Sequence, residues 1–151
     1  MITNWIDDIT KLIGEVSGEG KKKVVTYGID KIPETISEVP CAFSYITNLR
    51  PTYSMGGPGI NVWTGVTEVH LTKGISKAEL GPTFKLPDRI LAACASHLKL
   101  NSKVTSFLID PDQGGIEGPV SGTYGSEAPH YLIFVHWTVV ENVTGHYTVG
   151  I

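Results

Sequence analysis

From Val104 to Ile151 the sequence contains no lysine and no arginine, while Asp110, Asp112, Glu117, Glu127 and Glu141 all fall there. All 12 basic residues lie in positions 1–103, against 10 acidic ones, and the formal net charge is -3. A basic stripe interleaved with aromatics is therefore missing, and with it the electrostatic footprint of a nucleic-acid binder. Lys21-Lys22-Lys23 is an isolated triplet, the composition of a solvated loop. The polarity between the two parts suits a molecule that meets copies or partners of opposite sign.

Other absences narrow the chemistry. Only two cysteines occur, Cys41 and Cys94, too far apart for a metal knuckle and too few for a disulfide framework. Both sit in apolar stretches, as buried reduced thiols do. No apolar run reaches the length of a membrane-spanning helix, so no membrane partner is expected. Asp7 and Asp8 stand where a secretory leader would be basic and then apolar, so synthesis in the cytoplasm is expected.

The nucleophile elbow G-x-S-x-G is missing, since Gly74-Ile75-Ser76-Lys77-Ala78 lacks the closing glycine. Asp110, Asp112 and Glu117 imitate the start of a calcium loop, but Ser121 occupies the closing position. Gly56-Gly57-Pro58-Gly59 has no following Lys-Ser/Thr, so it is no phosphate loop. His130 and His136 share a parity, yet six residues of strand separate them by about 20 Å, too far to share an ion. His70, His97 and His146 are read as structural or surface residues. No catalytic residue, metal ligand or cofactor is expected, and the chain is read as a non-enzyme.

What is present is 41% hydrophobic residues with 17 Gly and 9 Pro in 151 residues. That length matches one domain, 1–151, able to bury roughly two-thirds of its unfolded surface. Ile2, Trp5, Ile6, Ile9, Leu12, Ile13 and Val16 recur at helical spacing, and Ser17-Gly18 stops them. Val24–Tyr27, Cys41–Thr47, Asn61–Thr72, Val104–Ile109, Val120–Tyr124 and Tyr131–Val140 read as strands. Ser76–Leu80 reads as a helical turn, and Pro87–Leu100 as a second helix with Ile90, Leu91, Cys94 and Leu98 inward. Tyr131–Val140 is apolar on both parities, as in a central strand covered on each side. The class is α+β: a mainly antiparallel sheet with two principal helices on it. Trp5, Ile9, Trp63, Cys94, Leu98, Ile133, Val135 and Trp137 are expected to share one core.

Between the second and third strands, Leu49 to Ile60 reads as a long hairpin loop. Its glycines and prolines argue against a ladder, and Arg50, Tyr53, Met55 and Ile60 have the composition of a segment that orders on a partner. Arg50, Tyr53, Met55, Gly57 and Ile60 are the expected protein-interaction residues.

Four features together resemble the tail-terminator (tail-completion) proteins of long-tailed bacteriophages. They are the opening amphipathic helix Ile2–Val16, the Gly/Pro-rich hairpin with its tip at Tyr53–Ile60, the helix Pro87–Leu98 ending in Leu98-Lys99-Leu100 before a strand, and the closing run Gly118-Pro119-Val120 through Thr123-Tyr124-Gly125 into Tyr131–Glu141. The connection 74–86 and the tail 142–151 depart from that pattern. The resemblance implies a virion structural protein located in the tail or neck and made in the host cytoplasm. It implies a homohexameric ring that caps the tail tube, ends its elongation and docks the head connector. Partners would be further copies of the chain, the tail-tube protein and head–tail connector proteins, with DNA only as passing cargo. Two other readings stay open: a head-closure or tail-tube subunit, and a small enzyme or ligand-binding domain with an unrecognised site.

Overall fold

The computed structural model describes residues 5–18, 24–36, 39–52, 59–73, 81, 83–124 and 130–143. The elements run α1 (Ile6–Ser17), β1 (Val25–Tyr27), β2 (Cys41–Thr52), β3 (Gly59–Lys73), α2 (Leu86–Ala95), β4 (Ser106–Ile109), β5 (Ile116–Gly122) and β6 (His130–Val143). They form one six-stranded sheet in the order β1-β2-β3-β6-β4, with β5 also on β6. Among the described residues, only the β1–β2 pair is parallel. The expected α+β class and element order hold. The segment Ser76–Leu80 lies outside the described residues.

Helix α1 forms because Ile6, Ile9 and Ile13 fall on one stripe, all fully buried, while Asp7 and Asp8 in the first turn complement its dipole. It lies close on the sheet: a Cβ on Gly14 would come within 2.8 Å of the Thr26 methyl. Helix α2 contributes Leu86, Ile90 and Cys94 to the same core. The inner sheet face supplies Val69, Ile133, Val135, Trp137 and Val139. Gly65 makes room there for Trp137, since a Cβ would stand 2.4 Å from the indole Cη2.

A file of hydroxyls crosses this core. Thr10 donates to the Ile6 carbonyl at 3.2 Å. That fixes the rest of the chain: Ser44 donates to Thr10 at 2.6 Å, Thr67 donates to Ser44 at 2.6 Å, and the Trp137 indole donates to Thr67 at 3.0 Å. Each hydroxyl has one proton to give, so this order satisfies every member.

Three expectations change. Helix α2 ends at Ala95 rather than Leu100, and Leu91 and Leu98 are 48% and 44% exposed. Leu100, Asn101 and Ser102 take positive φ values of 45°, 57° and 66°, which turns the chain and sends Leu100 inward in place of Leu98. Trp63 is only partly buried, at the margin of the core. β6 is central, but its second face is fully covered only near Leu132; Phe134, His136, Thr138 and Val140 are half-buried. The cover on that side is a smaller cluster of Ile36, Cys41 and Phe43 with Tyr45 and Tyr124.

Candidate interaction surface

β2 and β3 continue as a ladder well past the core. Thr47 to Thr52 are all exposed, on both faces of the strand. After a bulge at Thr47, Asn48 to Thr52 remain paired, with Arg50 opposite Val62, Pro51 opposite Asn61 and Thr52 opposite Ile60. β3 in turn pairs with β6, Ile60 opposite Asn142 and Asn61 opposite Glu141. The result is a three-stranded arm whose outer strand is bare, while Asn61 and Thr64 of β3 are buried.

The expected loop is therefore shorter than Leu49–Ile60. Arg50 and Ile60 lie in strands and share the sheet face turned away from α1. Pro51 is tolerated because β2 is an edge strand at this level, where a missing N–H can point away from β3. Tyr53, Met55 and Gly57 lie outside the described residues. Leu49 and Ile60, each 39% exposed, give the arm its apolar contact area.

Along the arm the inner sheet face turns from aliphatic to aromatic and polar. Glu141 accepts hydrogen bonds from the Trp63 indole at 2.8 Å, the Trp5 indole at 3.3 Å and the Asn61 amide at 3.4 Å. Trp5 stands edge-on to Trp63 and Trp137, with centroids 5.9 and 5.8 Å away. Sequence reasoning counted Glu141 only as a charge. The available signal was its parity: it falls in step with Ile133, Val135, Trp137 and Val139, where a solvated carboxylate does not belong.

The titratable groups elsewhere are tied into the fold. His136 pairs with Glu117 at 2.7 Å. Asp110 accepts from the Asp112 backbone at 3.0 Å and from the Thr138 hydroxyl at 2.5 Å, which makes the calcium-like stretch a capped turn. His70 is buried, stacked on Phe43 at 5.5 Å and within 3.1 Å of Glu68. Burial, and then the adjacent Glu68 carboxylate, push the Tyr45 hydroxyl well above the usual tyrosine range. Burial likewise pushes the Cys94 thiol up to about 12, so it is no thiolate at neutral pH. Among the described residues no three His, Cys, Asp or Glu side chains converge as metal ligands would.

A polar cleft of about 350 Å³ lies between α1 and the segment after β1, lined by Asp7, Thr10, Lys11, Thr26, Tyr27 and Asp30, among others. It holds both carboxylates, Asp7 and Asp30, and ammonium groups, Lys11 and Lys31, and Asp7 is already engaged by the Ile29 N–H at 3.1 Å. That mixed lining selects no ligand charge. The arm is the feature most suited to macromolecular contact.

No model of a known protein family matches the chain, and no curated protein matches it.

Proposed function

We propose that this chain is a virion assembly protein that closes a ring on the end of a phage tail tube, ends tube growth and presents a docking surface to the head connector. The observation that carries the reading is the arm: a ladder, Asn48–Thr52 against Ile60–Thr64, exposed at every position of its outer strand. An exposed edge strand is a ready template for further pairing, so an outer strand held out in this way suits a segment completed by a partner. The uneven charge adds support. With every Lys and Arg before Val104, the chain has one way to build faces of different sign, as a body that joins unlike neighbours needs. The resemblance to tail terminators supplies the specific place in the particle and the six-fold ring.

On this reading the isolated protein is monomeric or weakly associated and forms its ring on the tail end. Replacing residues 53–58 with a two-residue turn tests it. The expected outcome is an unchanged melting temperature together with over-long tails, or tails that fail to join heads. Normal particles made with the shortened hairpin, or three-fold or twelve-fold symmetry where the protein sits in an electron-microscopy reconstruction, would overturn the proposal. A tail-tube subunit would instead be found along the whole tube, and a head-closure protein on the head side of the joint.

A further inference from the structure

Glu141 lies within the arm, opposite Asn61, and its three donors come from two parts of the chain. Trp63 and Asn61 belong to the part of β3 that forms the arm; Trp5 is the residue from which α1 starts. One carboxylate oxygen takes Trp63 and Asn61, the other takes Trp5. The Trp5 carbonyl in turn accepts the Ile9 N–H at 3.2 Å, the first hydrogen bond of the helix. Trp5 is fully buried, so its indole N–H has no ready exchange with water if the carboxylate moves away. An ionised carboxylate can serve all three donors because it carries no proton of its own.

We infer that Glu141 is a positioning residue that couples the arm to the start of α1, so that the two open and close together. Moving the arm away from the body withdraws the acceptor from Trp5 and loosens the first helical turn. Fixing the arm on a partner holds the acceptor in place and tightens that turn. The effect is reciprocal, as linkage requires: loosening the start of α1 makes the arm harder to order. The use made of such coupling rests on the arm being the contact element proposed above; the coupling itself belongs to the free chain.

Hydrogen exchange on the full chain, read residue by residue with NMR, tests this in Glu141→Gln and, as a second variant, Trp63→Phe. The amide substitution keeps the shape of the side chain but replaces one acceptor oxygen with a donor. The amides of Ile60–Val62 and of Ile9 should then exchange about ten-fold faster, and in step, while those of Val69 and Ile133 keep their protection. An indole resonance of Trp5 or Trp63 should shift, and that of Trp137, bonded to Thr67, should stay. Trp63→Phe should produce the same paired change, with little added by combining the two. Acceleration at Ile60–Val62 without Ile9, or a uniform acceleration across the sheet, would overturn the coupling. Failure of particle assembly tests alone would strike the proposed function and leave this result standing.

Discussion

β3 passes through two environments within one continuous ladder. Around Val66–His70 it lies between β2 and β6 with side chains buried on both faces, Thr67 and Val69 toward the helices and His70 beneath Phe43. Around Ile60–Val62 the same pairing continues, but only Trp63, Asn61 and Glu141 mark the edge of the core. Backbone hydrogen bonds are alike in the two halves. What differs is the apolar area removed from water, which is the main favourable contribution to folding. Pairing alone extends a sheet; burial decides which part of it holds the molecule together.

That contrast is most exposed to test at Gly65 and Ile133. A Cβ at Gly65 would meet the Trp137 ring at 2.4 Å and the Tyr45 carbonyl oxygen at 2.6 Å, and neither can give way without moving the centre of the sheet. Gly65→Ala should cost about 3 kcal/mol or more. Ile133→Ala, which empties space at a fully buried position, should cost roughly 2–5 kcal/mol. Leu49→Ala and Ile60→Ala, on the arm, should each stay within about 0.5 kcal/mol of the unaltered protein. Urea unfolding of the four variants checks the contrast. Comparable losses at Ile60 and Ile133 would mean the arm belongs to the core after all.

A smaller effect is expected within the core itself. Ser44 sits midway along the hydroxyl file, receiving from Thr67 and giving to Thr10. Ser44→Ala removes an acceptor and leaves the Thr67 proton unmatched at a fully buried position. The expected cost is about 1–3 kcal/mol, and Thr67→Val on the Ser44→Ala background should recover none of it, because it strands the buried Trp137 indole N–H in place of the Thr67 proton. A neutral Ser44→Ala would show that the file adds nothing to stability.

How much of this could be read from the sequence follows the same division. Ile9, Ile133, Val135 and Trp137 were legible because their period matches their element and their burial follows from it. Leu98 was not, because a helical period was extended past Ala95 into a left-handed turn. The arm was half legible. Its composition marked a contact segment, but Pro51 was read as a ladder breaker, and only the strand order reveals that it lies on an edge. Glu141 was opaque for a different reason: its partners, Trp5 and Trp63, lie far away in the chain, and no local pattern brings them together.

The smallest effect is expected on the outer side of α2, where the chain had first suggested core. Leu91 lies one residue after buried Ile90 and so faces roughly 100° away from it, toward solvent. Leu98 lies beyond the helix end. Its carbonyl is held by the Phe107 N–H at 2.6 Å, so the backbone is anchored to β4 while the side chain remains 44% exposed. Truncating it removes contacts without opening a cavity. Leu98→Ala and Leu91→Ala should therefore each shift stability by no more than about 0.5 kcal/mol. Leu100→Ala, two residues on and 4% exposed, should cost roughly 2–5 kcal/mol. Placing the three side by side in one denaturation series separates burial from hydrophobicity, since all are leucine-to-alanine changes within ten positions. If Leu98→Ala proved as costly as Leu100→Ala, the outer face of α2 would have to be covered in solution, and the division between a packed body and an exposed arm would need a second contact surface beside it.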